Sequence, residues 1–307
     1  MSTTTPITLG ESGLFDPSAP LTASGNLRRR LVVDRVVQVV ATAAAVAAVA
    51  VLVIVVTGVA IHGASSLSFG FVFHNSQGLA EGGIANDLLG TLEIVAAGAV
   101  IALPLGILTG LYLTEFAGAQ SRTARILKLA LDMMQGLPTI VVGLFIYGLI
   151  VIPEHRESGF AGAVALSIVM LPLIARASQE VLLLVPGSLR EAADALGVNR
   201  WRTVLTVILP TAMGGIVTGA ILAIARAAGE TAPLLICDSI YNPNATSFNL
   251  FRGVPSIPMF IYSSYDLPLA QAVDRVWGAA LVLMIFILLA NIGARVLLAR
   301  SRAKMGR

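Results

Sequence analysis

Residues 188–210 read SLREAADALGVNRWRTVLTVILP, a partly polar stretch that separates two long apolar ones. Ser188 followed three residues later by Glu191 has the pattern of a capping box, which favours a helix beginning at that serine. Gly197 suits the left-handed residue that ends many helices. The stretch therefore predicts a short amphipathic helix, a turn, and a new apolar segment from Val204 onward.

The composition of the whole chain indicates a membrane protein. Of its 307 residues, 56% are hydrophobic and 12% are charged, which is too few charges for the surface of a soluble domain of this length. A bilayer core of roughly 30 Å requires about 20 apolar residues per spanning helix. We predict an all-α integral membrane protein with six transmembrane helices. The predicted spans are residues 36–62, 89–113, 127–152, 160–177, 204–237 and 276–298.

The distribution of Lys and Arg predicts the orientation, because these residues accumulate on the cytoplasmic side of membrane proteins. With both termini in the cytoplasm, all but four of the 20 Lys and Arg residues fall on that side. Residues 188–210 then form a cytoplasmic loop. We predict that residues 1–34 are a cytoplasmic, disordered tail with a basic flank, and that residues 35–307 are the transmembrane domain. The four exceptions are Arg156, Arg226, Arg252 and Arg275.

Two ionisable residues lie in the fifth predicted span. Arg226 and Glu230 are four residues apart, which on a continuous helix places them on one face, close enough to pair. Ionisable groups inside a membrane usually face a partner or a watery cavity, and a guanidinium matches the geometry of an oxyanion. We hypothesise that Arg226 exchanges between Glu230 and an anion in transit. The alternative is that residues 203–225 span the bilayer alone and leave both groups at the outer interface.

Prolines and polar residues within the spans predict irregular, hydrogen-bonded helices. Each proline removes one backbone hydrogen bond and tends to kink its helix. Asp132 and Gln135, near the cytoplasmic side of the third span, are expected to bond to neighbouring helices. The prolines within the spans are Pro104, Pro138, Pro172, Pro210 and Pro233.

The cytoplasmic loop resembles the EAA loop of bacterial ABC importer permeases. The family pattern is E-A-A, three residues, G, nine residues and I-x-L-P, and here Val207 replaces the isoleucine. The resemblance implies that residues 186–210 dock onto a cytoplasmic ATPase and transmit its movement. The local sequence alone also fits an amphipathic loop helix in which Glu191 is merely a cap. The coupling contacts implied by the resemblance are Glu191, Ala192, Ala193 and Gly197.

A second segment resembles the A-type permease (PstA) of phosphate-specific importers. Residues 225–235 read ARAAGETAPLL, which follows the pattern A-R-A-x-G-E-T-A-P-L-L of that family. The resemblance covers about residues 83–298, which would be the permease core. It implies the type I ABC importer permease fold, and it places Arg226, Glu230 and Thr231 in the substrate pathway.

The resemblance also implies a function, namely translocation of inorganic phosphate into a bacterial cell across its inner membrane. The implied partners are a second permease (PstC-like), an ATPase dimer (PstB-like) and an extracytoplasmic phosphate-binding protein (PstS-like). The chain has no Walker loop, so we expect the partner subunits to bind and hydrolyse ATP. We also expect that this chain has no enzymatic site of its own and binds no cofactor, metal or nucleic acid.

Three other functions remain open from the sequence. They are a permease for another oxyanion such as sulfate or molybdate, a secondary transporter, and a non-transporting membrane regulator of a phosphate-sensing kinase. The G-E-T-A-P segment argues against the first, and the ATPase-docking loop argues against the other two.

Overall fold

The computed structural model describes residues 26–76, 81–118, 121–238 and 249–305, and these ranges are mostly helical and contain no strand. Three π-helical turns each follow directly on an α-helix: Tyr112–Phe116, Tyr147–Val151 and Val204–Ile208. The α-helices are α1 (Asn26–Ala64), α2 (Phe69–Phe73), α3 (Ala85–Leu111), α4 (Arg122–Gly136), α5 (Thr139–Ile146), α6 (Ile152–Glu154), α7 (Gly159–Leu183), α8 (Gly187–Ala195), α9 (Arg200–Thr203), α10 (Leu209–Ala227), α11 (Ala232–Cys237), α12 (Ile257–Ser264) and α13 (Ala270–Met305).

Five helical segments of the described chain are long and apolar enough to cross a membrane. A sixth span exists if the bent pair Arg122–Gly136 and Thr139–Glu154 counts as one. The predicted all-α membrane fold is therefore confirmed. The five segments are Arg29–Ala64, Ala85–Phe116, Gly159–Leu183, Arg200–Ala227 and Ala270–Val296.

The third predicted span, residues 127–152, is broken rather than continuous. Its two helical parts, α4 and α5, meet at an angle of 104°. Pro138 lies at the N-cap of α5 with φ −58° and ψ 131°, a conformation outside the helical region. Because proline lacks an N–H and disfavours a helical residue before it, α4 ends just ahead of it.

The fifth predicted span, residues 204–237, is also interrupted. The helix α10 ends at Ala227, and the short helix α11 begins only at Ala232. Pro233 lies in the first turn of α11, where its missing N–H would have had no helical partner anyway. The chain between the two helices is therefore free to follow an irregular path.

The helices α3 and α7 pack closely along a row of small residues on α3. Gly98, Ala102, Gly106 and Gly110 are spaced four apart, so they lie on one side of that helix. A Cβ atom added at Gly106 would lie 2.8 Å from the Cβ of Ile174 on α7. Rows of small residues allow membrane helices to approach in this way, and α3 and α7 form a tightly packed pair.

The chain divides into two units, residues 1–57 and residues 58–307. In the first unit, the apolar side chains of α1 are exposed, as expected for a helix surrounded by lipid. The second unit contains the buried core, in which α3 and α7 contribute Ile94, Leu166, Met170 and Ile174. The predicted tail lies outside the described residues up to position 25.

Candidate substrate cavity and coupling loop

Arg226, near the end of α10, lines a cavity of about 190 Å³ that α4, α5 and α7 also border. Two further polar side chains line it, Gln135 near the end of α4 and Thr139 at the start of α5. The Nε2 of Gln135 donates to the carbonyl oxygen of Pro172 on α7, 3.5 Å away. The remaining lining residues are apolar: Met134, Leu137, Val142, Val169, Pro172 and Leu173.

The guanidinium of Arg226 has no hydrogen bond or ion pair to any residue within the described ranges. A guanidinium carries five N–H donors and cannot lose its charge in a protein. When a positive group on a membrane helix faces a cavity and is not paired with a carboxylate, it favours the entry of an anion. The cavity therefore combines one permanent positive charge, two neutral polar groups and apolar walls.

The prediction that Arg226 and Glu230 share one helical face is wrong. The helix ends at Ala227, and the N–H of Glu230 donates to the carbonyl oxygen of Ala227 in a tight turn, 3.1 Å away. Gly229 favours such a turn over a helix. Glu230 is half-buried and forms no ion pair with Arg226, although both lie within the described residues. Thr231 follows as the N-cap of α11.

Asp132 and Gln135 both reach α7, as the sequence predicts. Asp132 forms an ion pair with Arg176, one helical turn after Pro172. Gln135 bonds to the Pro172 carbonyl. These two contacts hold the end of α4, just before the bend between α4 and α5, against α7.

The helix of the predicted cytoplasmic loop, α8, begins differently from the prediction. Pro186 lies at its N-cap and no side chain caps it, so the predicted capping box of Ser188 and Glu191 is absent. A proline before the helix provides an extended backbone that leads into the first turn without a polar side chain. Glu191 and Ala192 are exposed on α8, whereas Ala193 is buried against the chain.

Gly197 ends α8 in the left-handed conformation that the sequence predicts, with φ +66°. The N–H of Gly197 donates to the Asp194 carbonyl, and the N–H of Val198 donates to the Ala193 carbonyl, at 3.0 and 3.1 Å. This pair of bonds is the Schellman motif, which satisfies the last carbonyls of a helix. The turn requires a positive φ that other residues adopt only with strain.

Replacing Gly197 with alanine is expected to loosen the end of α8. A left-handed φ costs an L-residue about 1 kcal/mol, so amide hydrogen exchange in residues 187–195 should accelerate about fivefold. Gly187→Ala is the matched control, because a Cβ atom at either glycine would meet nothing within 4 Å and Gly187 does not have a positive φ. Equal exchange rates in the two variants would contradict the prediction.

Glu115 makes a contact that the sequence analysis did not assign. Its side chain is 3% exposed and pairs with Arg190 of α8, with Arg190 Nη2 2.7 Å from Glu115 Oε1. The available signal was a carboxylate next to the end of an apolar span, where a buried charge requires a partner. Its partner lies 75 residues away in the chain, and no local pattern identifies it.

Known proteins are similar to this chain in sequence and in fold. Residues 102–305 match the family model described as "Binding-protein-dependent transport system inner membrane component". The chain is 41% identical over 215 residues to the phosphate transport system permease protein PstA 1 of Mycobacterium tuberculosis (strain CDC 1551 / Oshkosh), over 69% of each chain. It is 39% identical over 215 residues to PstA of Haemophilus influenzae (strain ATCC 51907 / DSM 11121 / KW20 / Rd), over 70% of this chain and 75% of that one.

Solved structures show the same arrangement of helices. A chain of the MetNI methionine ABC transporter in an inward-facing conformation superposes with a TM-score of 0.58, at 18% identity, over 71% of this chain and 95% of that chain. A chain of an amino acid ABC transporter solved with histidines gives a TM-score of 0.52 at 17% identity, over 72% and 93%. This chain therefore belongs to the inner membrane components of binding-protein-dependent transport systems, and among them to the PstA permeases of type I ABC importers.

Proposed function

We propose that this permease translocates inorganic phosphate and that the Arg226 cavity lies on the translocation pathway. The observation that carries the proposal is the Arg226 guanidinium, which lines an apolar-walled cavity without a partner among the described residues. The relatives at about 40% identity are named phosphate transport permeases, which supports phosphate as the anion.

The lining residues supply complementary groups for a hydrated, partly protonated phosphate ion. Arg226 provides positive charge and several N–H donors, which suit an oxyanion. Thr139 provides a hydroxyl that donates or accepts. Gln135 uses its Nε2 on Pro172, which leaves its amide oxygen as an acceptor for a phosphate hydroxyl, a group that sulfate lacks at neutral pH. This acceptor is the basis on which the cavity prefers phosphate to sulfate.

Glu230 and Thr231 belong to the same pathway in our proposal, in a different step. Both lie in the irregular segment after α10, and Glu230 does not hold Arg226 in this conformation. A change in that segment brings the carboxylate to the arginine when the anion has left, which neutralises the guanidinium between transport events. In this way Arg226 does not retain the anion after transport.

ATP hydrolysis in partner subunits drives the transport. We propose that residues 186–210 meet the ATPase through Glu191, Ala192, Ala193 and Gly197, with both termini in the cytoplasm. The tail and basic flank are residues 1–34, the transmembrane domain is residues 35–307, and the permease core is about residues 83–298. The partners are a PstC-like permease, a PstB-like ATPase dimer and a PstS-like phosphate-binding protein, in the inner membrane of a bacterium.

Uptake by the whole transporter in sealed vesicles tests the proposed substrate. We expect ATP-dependent uptake of labelled phosphate, with labelled sulfate roughly fivefold slower, since one net hydrogen bond contributes about 1 kcal/mol. Vesicles without ATP provide the baseline. Uptake of sulfate in preference to phosphate would refute the substrate assignment and leave the permease family in place.

A further inference from the structure

The buried ion pair between Glu115 and Arg190 joins two distant parts of the fold. Arg190 donates from Nη2 to Glu115 Oε1 at 2.7 Å and from Nε to both carboxylate oxygens at 3.3 Å. The Glu115 side chain is 3% exposed and that of Arg190 is 29% exposed. The other two ion pairs among the described residues each include a side chain that is more than half exposed. A buried pair is screened less by water and salt than such surface pairs.

Arg190 also binds the end of α7. Its Nη1 donates to the Val185 carbonyl at 2.8 Å, and its Nη2 donates to the Leu182 carbonyl at 3.1 Å. The last carbonyls of a helix have no partner within the helix and require one elsewhere. One side chain of α8 therefore holds both the end of α7 and the π-helical turn that follows α3.

Phe116, the neighbour of Glu115, makes a second contact with the same loop. Its ring centroid lies 4.3 Å from that of Trp201 on α9, and the guanidinium carbon of Arg200 lies 6.0 Å from the Phe116 centroid. Glu115 and Phe116 lie in the π-helical turn Tyr112–Phe116, and such turns occur often at functional sites. Consecutive residues of this turn thus hold both short helices of the loop.

The contacts continue from this turn to the Arg226 cavity. The α3 helix packs on α7 so closely that a Cβ atom at Gly110 would lie 2.8 Å from the Cβ of Ser178. The α7 helix in turn supplies Val169, Pro172 and Leu173 to the cavity wall. A displacement of α8 that pulls on Glu115 therefore moves α3 and α7 together, because closely packed helices move as rigid elements.

We propose that Glu115 is a positioning residue that fastens the coupling loop to the α3–α7 pair and so transmits ATPase movement to the wall of the Arg226 cavity. This inference rests on the proposed function, in which residues 186–210 dock onto the ATPase. Glu115 itself touches neither the transported anion nor the ATPase in this arrangement. Loss of Glu115 therefore changes the number of anions imported per ATP hydrolysed.

The assembled transporter in vesicles with Glu115→Gln tests the proposal. Glutamine keeps the size of the side chain and removes its charge. We expect ATP hydrolysis to continue while the number of oxyanions imported per ATP falls about tenfold, within the range typical of coupling between sites. Glu154→Gln is the matched control, because Glu154 pairs with Arg156 in an exposed position away from the loop, and its ratio should equal that of the wild type.

Hydrogen exchange separates loss of positioning from general misfolding. In Glu115→Gln we expect faster amide exchange in residues 187–195 and unchanged exchange in α10. The double variant Glu115→Gln/Arg190→Gln should lower the transport ratio no further than the worse single variant, because residues that act as one unit are not additive. Wild-type coupling in Glu115→Gln, or exchange that rises equally throughout the chain, would overturn the inference.

Labelled phosphate and labelled sulfate are both supplied in this experiment, so the two proposals fail separately. If the wild type imports sulfate, the proposed substrate is wrong, and the ratio of sulfate to ATP still tests Glu115. If the wild type imports phosphate and Glu115→Gln has the same ratio, the substrate stands and the positioning role of Glu115 is wrong.

Discussion

Replacing Arg226 with glutamine is expected to abolish phosphate uptake while the transporter still assembles. Among the described residues that line the cavity, Arg226 is the one with a positive charge. Glutamine retains hydrogen-bonding capacity at a similar position, so the variant removes mainly the charge. A hydrogen bond to a charged group contributes about 1.5–3 kcal/mol, and the long-range attraction for an anion is lost as well. We expect uptake to fall at least about 100-fold at subsaturating phosphate.

Arg226→Lys distinguishes charge from geometry at the same position. Lysine keeps the positive charge but replaces the planar fork of donors with a single ammonium group. We expect partial activity, roughly tenfold below the wild type, since one tenfold change corresponds to about 1.4 kcal/mol. A lysine variant as inactive as Arg226→Gln would mean that the forked geometry, and not the charge, governs transport.

Arg295→Gln is the matched control for Arg226→Gln. Arg295 is also exposed on a membrane helix, α13, and it does not line the Arg226 cavity. We expect its variant to transport phosphate like the wild type. Normal uptake by Arg226→Gln would place the pathway elsewhere and make Arg226 an anchor at the membrane interface, the alternative that the sequence left open.

Replacing Gly106 with valine is expected to disrupt the fold itself. The Cβ atom alone would lie 2.8 Å from both Cβ and Cγ2 of Ile174, and real Cβ atoms do not approach other atoms that closely. The Ile174 Cβ is fixed to the backbone of α7, so relief requires the two helices to separate. Overpacking of a core costs about 1–3 kcal/mol or more, which we expect as a lower free energy of unfolding in detergent.

The same substitution at Gly58 controls for the change from glycine to valine. Gly58 lies in α1, and a Cβ atom there would meet nothing within 4 Å. We expect Gly58→Val to melt at nearly the wild-type temperature and Gly106→Val to melt several degrees lower. A normal melting temperature for Gly106→Val would show that the α3–α7 contact adjusts easily, and it would weaken the proposed route from Glu115 to the cavity.

Local patterns in the sequence determined the class of fold and the turn at Gly197. Apolar stretches of sufficient length identify membrane helices because the bilayer imposes one length on every span. Gly197 was identified correctly, because a left-handed helix end depends on neighbouring residues alone. The capping box of Ser188 failed for a related reason: Pro186, two residues before Ser188, is the N-cap of the helix, and two local signals competed.

Two of the predicted spans are interrupted at residues whose effect on a helix depends on how the neighbouring helices pack. Pro104 and Pro172 lie inside continuous helices, whereas Pro138 marks a 104° bend. All three remove one backbone hydrogen bond, so the sequence indicates where a helix is weak. Packing against neighbouring helices then decides whether that weakness becomes a bend. For the same reason the sequence could not show that α10 ends before Glu230.

The candidate site required the tertiary structure. Gln135 and Arg226 are far apart in the chain, yet they line one cavity, and Glu115 meets Arg190 across 75 residues. The sequence by itself determined only that Arg226 and Glu115 lie in or beside apolar stretches, where an isolated charge is unstable and requires a compensating group. Which group compensates each charge is set by how the helices pack, so only the tertiary structure paired Glu115 with Arg190 and left Arg226 facing a cavity.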